Sequence, residues 1–395
     1  MALNFYEARK ALLDIVTPLS QTTYVSLKEA LGRIASKEVI CAKNLPSYDN
    51  AALDGFAFKF DDKESVLRIK ATIYAGDIQA PVLEKGECYK IMTGAKVPED
   101  ADTIVAFEDT QAYDAHACTL PASLKKGNAF RKKGEEQLCG SVLIAPNTLL
   151  TPAHIAMLAT QGITHVPVFA KPNIAIVSTG DELKEPWEQS SPDEIHNCNS
   201  YALVALFKQA GFEVDYSGVI PDSLEASGGF IKTLSRYDVV VSSGGISMGE
   251  ADFVKAGLEA NGFKASYHGI NLKPGRPTMV GMMDKTLIVS LPGNPMAAFL
   301  NAFLLALPAV KKCAGMQENL PLEVDALNIK SFTCKGGRNE LVLGMYKDGK
   351  FTVTRNNKVG SGMLTPLLES NAILISNEAD TQFEANQPIK VTLFA

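Results

Sequence analysis

From Pro172 onward the chain alternates two textures, and that alternation restricts its fold more than any other feature. Apolar runs of strand length, "NIAIVSTG", "EVDYSGVI", "DVVVSS" and "TLIVSLPG", are separated by helical segments. Those segments are "NSYALVALFKQAGF", "LEASGGFIKTLSRY", "ADFVKAGLEANGF" and "NPMAAFLNAFLLALPAVKK". A strand that is apolar throughout needs cover on both faces, and strand–helix alternation supplies it. The expected arrangement is a parallel sheet in an α/β/α sandwich. Asn294 is placed to cap the last helix, and Pro295 takes its first position, where a missing N–H costs nothing.

The rest of the chain has other textures. Residues 1–45 read as helices. "TPAHIAMLATQG" is a further helix, with Thr151 as N-cap, Pro152 at the first position and Gly162 as the stop. These two stretches are expected to form one split helical domain, 1–45 plus 141–171. Between them, residues 46–140 are short β-like runs broken by glycine, which predicts an inserted small barrel or sandwich. The α/β domain is assigned to 172–317. After it, "FTVTRN", "AILISN" and "IKVTLF" predict a C-terminal β-barrel domain over 318–395. A chain of 395 residues is too long for a single core, so several domains are expected.

Composition excludes several classes. The net charge of −6 gives no general attraction to nucleic acid or to an anionic membrane. The seven cysteines are scattered, with no C-x-x-C pair. That pattern predicts reduced thiols in a cytoplasmic protein rather than a zinc site or disulfide framework. The five histidines are equally dispersed. The N-terminus reads as an amphipathic helix, not a signal peptide. Met296 to Val310 falls short of the roughly 20 residues that span a bilayer.

In an open parallel sheet, ligands bind outside the carboxyl ends of the strands. Three such ends carry unusual loops: "STGDEL" from Ser178, "SSGGISMGEAD" from Ser242, and "SLPGNPMAAF" from Ser290. Glycines there permit positive φ and close backbone approach to an anion. The following helices add their positive dipole ends. The spacing fits neither a Rossmann G-x-G-x-x-G nor a Walker A loop. Asp181, Glu182, Glu250 and Asp252 lie in these loops, and Asp222 follows the strand "EVDYSGVI". They read either as ligands of a hard cation shared with phosphate oxygens or as acids complementing helix dipoles. "NLKPGRPTM" sets Lys273 and Arg276 around a rigid turn suited to a tetrahedral oxyanion or phosphate. Arg131, Lys132 and Lys133 in "FRKKGEE" read as a solvated charge run.

"NAALDGFAF", "MTGAKVPEDADTIV", "FRKKGEE", "STGDEL", "SSGGISMGEADF", "KPGRP" and "LPGNPMAAF" occur in the order and at the separations of the MoeA family. That family comprises the molybdopterin molybdenumtransferases and domains similar to the C-terminal domain of gephyrin. The resemblance covers nearly the whole chain and is strongest through about residue 310. It implies an enzyme that inserts molybdate into adenylylated molybdopterin, releasing AMP in a Mg²⁺-dependent step. It also implies four subdomains, a homodimer, and contact with the molybdopterin adenylyltransferase and other cofactor-pathway proteins.

The resemblance further implies residue roles. Glu182, Asp222 and Asp252 would organise Mg²⁺ and nucleotide. Ser243, Gly244, Gly245 and Ser247 would cradle phosphate, with Pro292, Gly293 and Asn294 in the third loop. Lys273 and Arg276 would hold oxyanions. Asp54, Thr93 and Gly94 would come from the inserted β domain, with Arg131 and Glu136 at its hinge side. Arg338 and Ser361 are candidates in the C-terminal domain. Ala51 and Phe56 stand where the family carries a serine and a tyrosine, and Glu136 where it carries an aspartate. Three rivals are a molybdopterin adenylyltransferase, a non-catalytic dimeric scaffold and a nucleotide pyrophosphatase.

Overall fold

The four expected strands lie side by side. In the computed structural model, which describes residues 2–180, 182–221, 223–246 and 253–394, they are β1 (Ile174–Thr179), β2 (Asp215–Ile220), β3 (Val239–Ser243) and β6 (Thr286–Leu291). Between β3 and β6 the chain adds β4 (Phe263–His268) and β5 (Met279–Met283). The sheet order is β2-β1-β3-β6-β5-β4. The first four strands are parallel, but β5 runs antiparallel to both β6 and β4. The wholly parallel expectation is corrected at this edge. A two-residue turn at Asp284–Lys285, with Asp284 at φ 52, folds one apolar stretch into a hairpin that leaves no room for a helix.

Every residue of β1, β3 and β6 is buried, whereas β2 at the edge is mostly half-buried. Alternate side chains enter different cores, as a pleated strand requires. Ile174, Ile176, Val239 and Val241 face α1 (Asn199–Gln209), the long helix α4 (Pro295–Cys313) and the N-terminal helix Phe5–Ile15. Ala175, Val177, Val240 and Ile288 face α2 (Leu224–Thr233) and α3 (Phe253–Ala260). Each large apolar side chain so buried contributes about 1.5–3 kcal/mol relative to exposure.

Helix α4 is the one described helix long and apolar enough to cross a membrane, and most of it is buried in this core. Its middle turn, Ala302–Ala306, widens to π geometry just before Pro308. Proline lacks the N–H of a regular turn and its ring crowds the preceding one, so a widened turn relieves both.

These layers belong to a unit comprising Met1–Thr23 and Val168–Ala395. Its C-terminal part is a barrel. Strands Asn339–Lys347, Lys350–Val353, Glu323–Asn328, Pro388–Leu393 and Ala372–Ile375 pair in that order, and the last closes onto the first. Asp348 and Gly349, both at positive φ, form the tight Asp-Gly turn between the first two. Leu272–Lys273 pairs in parallel with Asn339–Glu340, stitching the α/β layers to the barrel rim.

The second unit is Tyr24–Pro167. It holds a six-stranded sheet whose strands lie between Gly55 and Thr119. Outside that sheet, Val142–Ile144 pairs with Val39–Ile40 and Ile34 bridges to Leu149. The helical reading of residues 1–45 is corrected. Only Phe5–Ile15 is α-helical there, with Asn4 and Glu7 forming a capping box. β-Branched "TTYVS" becomes the strand Thr22–Ser26, and the helix-like "LKEALGR" makes only turns, with Gly32 at φ 73.

Candidate active site

The carboxyl ends of β1, β3 and β6 open onto one cleft of about 580 Å³. Its rim is made of Thr179–Gly180, Ser243–Gly245 and Pro292–Asn294. The loops meet so closely that glycine is required. A Cβ on Gly244 (φ 91) or Gly245 (φ 63) would lie 2.6 Å from Thr179 Oγ1. Gly293 in turn packs against Gly244. The turn after β3 thus packs on the Thr179 side chain on one side and on the backbone of the turn after β6 on the other.

Asn199, at the start of α1, ties these loops together. Its Nδ2 donates to Ser243 Oγ (2.7 Å) and to the Gly293 carbonyl (2.8 Å). Ser243 Oγ donates onward to the Pro292 carbonyl at 3.2 Å. The Ser243 hydroxyl is therefore buried and committed to shaping the rim. The sequence pattern does not single out Asn199. Its one local signal is an amide opening a helix beside the first glycine loop, and a capping role would produce the same signal.

Glu182 stands exposed at this cleft, its carboxylate folded over Gly180. A Cβ on Gly180 (φ 132) would come within 2.6 Å of it. Asp222, Ser247 and Asp252, the other acids and hydroxyl expected here, lie outside the described residues. Asn294 is the N-cap residue of the α4 start, with no capping hydrogen bond from its side chain. The helix's positive end and the Asn294 amide, which makes no capping bond, both border the cleft, which favours an anionic ligand group.

A second cavity, of about 390 Å³, adjoins the first and shares Pro277, Pro292 and Asn294 with it. It lies between the Leu272–Pro277 turn and the barrel, and Lys273, Arg276, Arg338 and Ser361 line it. Asn301, fully buried in α4, supports the turn. Its Nδ2 donates to the carbonyls of Ala297 (2.7 Å) and Pro274 (3.4 Å). Gly275, at φ 127, packs on the same amide, and a Cβ there would sit 2.7 Å from Asn301 Oδ1.

Lys273, one of the two cations on this turn, is engaged in an ion pair. Its Nζ lies 2.8 Å from Glu340 Oε1, because the pairing of Leu272–Lys273 with Asn339–Glu340 sets the two side by side. Glu182 and Lys273 border different cavities, joined at the shared Pro277, Pro292 and Asn294.

In the second unit Asp54, Thr93 and Gly94 lie together, and Arg131 stands on the strand paired with Asn50–Ala51. Asp54 Oδ1 accepts from the Thr93 amide (2.6 Å) and hydroxyl (2.7 Å). Those bonds hold the exposed carboxyl below its ordinary value. Gly94 N–H donates to the Ala51 carbonyl, and Arg131 pairs in register with Asn50. The two departures nearby are core positions. Ala51 and Phe56 are buried, and Phe56 packs edge-on against Phe107 and Tyr113.

Similarity to known proteins follows the same divisions. Residues 3–162 match the MoeA N-terminal region (domain I and II), 175–312 the "Probable molybdopterin binding domain", and 327–394 the MoeA C-terminal region (domain IV). A protein of Nostoc sp. named molybdopterin molybdenumtransferase is 31% identical over 94% of this chain and 88% of its own. The chain belongs to the MoeA family. A Haemophilus influenzae protein of the same name is 29% identical, over 99% of this chain and 98% of its own. The crystal structure of the molybdopterin biosynthesis moeA protein from Pyrococcus horikoshii OT3 superposes with a TM-score of 0.86 at 27% identity, each chain fully covered. For this MoeA-family chain, the α/β core with its inserted β region and terminal barrel is thus the fold of the family.

Proposed function

We propose that this protein is a molybdopterin molybdenumtransferase, an enzyme of molybdenum cofactor biosynthesis that joins molybdate to adenylylated molybdopterin and releases AMP. The observation that carries this reading is the pair of adjoining cavities. One is walled by glycine turns and a helix N-terminus, the other by three cationic side chains, and they share Pro277, Pro292 and Asn294. A phosphoanhydride suits the first and a tetrahedral dianion the second.

The chain's own groups supply orientation and charge. The glycine turns let backbone approach the phosphates. Arg276 and Arg338 face the oxyanion with planar donor forks. Preorganised charge of this kind stabilises a leaving phosphate without reorganisation during reaction. No protein nucleophile is needed if a molybdate oxygen attacks phosphorus, or if the freed dithiolene sulfurs take the metal.

Among the described residues no group of three or more histidine, cysteine or acidic side chains is placed to hold a metal, and Glu182 is the described carboxylate at the cleft. That donor set fits Mg²⁺, which one or two carboxylates hold together with substrate phosphate oxygens; Asp222 and Asp252 would complete it. Bound there, Mg²⁺ would offset the charge developing on the anhydride. The reading includes four subdomains with boundaries near 45, 140, 171 and 317, a homodimer in the cytoplasm, and Asp54, Thr93, Gly94 and Arg131 as a further substrate-facing group.

The test is to incubate the protein with Mg²⁺ and adenylylated molybdopterin and follow AMP with and without molybdate. Release that depends on molybdate supports the reading. Release indifferent to molybdate indicates a pyrophosphatase, and a stable dimer with no release indicates a scaffold.

A further inference from the structure

Glu340 is an acid in a pocket that would bind an anion. It is 5% exposed, and each carboxylate oxygen is engaged. Oε1 accepts from Lys273 Nζ at 2.8 Å and from Asn357 Nδ2 at 3.0 Å. Oε2 accepts from the Lys335 amide at 3.2 Å. Burial pushes its pKa up, but these bonds outweigh burial and hold the carboxyl below its ordinary value. Glu340 is therefore charged at neutral pH. The charged groups lining the cavity are Lys273, Arg276, Arg338 and Glu340. The carboxylate thus lowers the positive charge facing the oxyanion by one and occupies the lysine that is half-buried there.

An acid placed so opposes binding. A tetrahedral dianion must share Lys273 with it and feels its repulsion at short range. A site that transfers its oxyanion gains from this. Grip exerted equally on bound substrate and transition state does not raise turnover, and grip confined to bound substrate lowers it.

We propose that Glu340 is a positioning residue that holds Lys273 at the pocket wall and weakens ground-state binding of the substrate oxyanion, so that molybdate remains transferable. This rests on the reading of the second cavity as the molybdate site. The expected signature follows from charge. Removing one negative charge strengthens a dianion about twice as much, on a logarithmic scale, as a monoanion, because Coulomb energy is linear in ligand charge.

The experiment is calorimetric titration of the full chain with molybdate, sulfate and perchlorate, for wild type, Glu340→Gln, Glu340→Asp and the double variant Glu340→Gln/Lys273→Met. Thermal melts verify folding of each. In Glu340→Gln the Kd for molybdate and sulfate should fall roughly tenfold and that for perchlorate roughly threefold. Glu340→Asp should stay near wild type, and the double variant should lose the gain. In steady state, Glu340→Gln should lower both KM for molybdate and kcat, a split that lost folding would not produce. Unchanged or weaker molybdate binding in a folded Glu340→Gln overturns the inference while the function stands. A wild-type chain that binds none of the three anions overturns the assignment of the cavity, and this inference with it.

Discussion

Asn199 Nδ2 lies 2.8 Å from the carbonyl oxygen of Gly293, so the first turn of α1 is bonded to the loop that starts α4. The same nitrogen bonds Ser243 at 2.7 Å, so one amide sets the spacing of two of the three loops of the larger cleft.

Asn199→Ala should therefore disturb the cleft more than the core. The buried Ser243 hydroxyl loses a donor, at about 1–3 kcal/mol for a buried group left unsatisfied, while the exposed Gly293 carbonyl can turn to water. The rim should relax by a fraction of an ångström, and misplacement near 1 Å costs on the order of 10²-fold in rate. Asn199→Asp should be worse than alanine, because a carboxylate would face the Gly293 carbonyl. Steady-state kinetics with thermal melts check this, and wild-type kcat/KM in both variants would refute it.

Gly275 and Asn301 make a second dependent pair. At φ 127 and with the Asn301 amide against it, Gly275→Ala combines backbone strain with a steric clash. Destabilisation of about 2–4 kcal/mol is expected, with weakened oxyanion binding because Lys273 and Arg276 ride on that turn. Chemical denaturation read by circular dichroism measures it; a loss under about 0.5 kcal/mol, the range of neutral surface changes, would show the turn to be adaptable.

These pairs explain which parts of the site the sequence made visible. The glycine loops were legible because their backbone geometry demands a particular residue type at a particular place. Asn199, Asn301 and Glu340 were not, because the partner that gives each its role is distant along the chain. Ser243 and Gly293 are 44 and 94 residues from Asn199, and Glu340 is 67 from Lys273. Asn301 is the instructive case. A lone amide in an apolar helix marks a buried hydrogen bond, but nothing local says that it supports the Pro274–Gly275 turn. The same limit applies to the fold. Strands β1, β3 and β6 were legible as uninterrupted apolar runs, whereas β4 and β5 lacked any intervening helix to announce them. Residues 16–45 depart from their helical appearance because helix propensity is a weak prior that strand pairing overrides.

Asp54 offers a pH test in the second unit. Its carboxyl is held below the ordinary 3.8 by the Thr93 hydroxyl first and the Thr93 amide second. Because the folded carboxyl is the stronger acid, its bonds to Thr93 contribute stability above pH 3.8 and lose it as pH falls through the lower folded value. Thr93→Ala removes the larger contribution and keeps the smaller. A carbon-detected NMR titration should show the Asp54 pKa rising toward 3.8 without passing it. An unchanged value would mean the hydroxyl bond does not persist in solution.

Glu182 carries the last prediction. Its exposed carboxylate folds over Gly180, within 2.6 Å of where a Cβ would stand. If it acts electrostatically on the reacting anhydride, Glu182→Gln should cut turnover by roughly 10²-fold or more, with little change in melting temperature because the side chain is exposed. Asp252→Asn is expected to act alike, and near-normal turnover in both variants would reject the assignment. Gly180→Ala supplies an independent arm: its methyl group would displace the same carboxylate while leaving its charge intact. Glu182→Gln and Gly180→Ala should each slow turnover, and the double variant should lose little more than Glu182→Gln alone, since both act through one group. Additive losses would show that Gly180 serves the loop backbone and not the placement of Glu182.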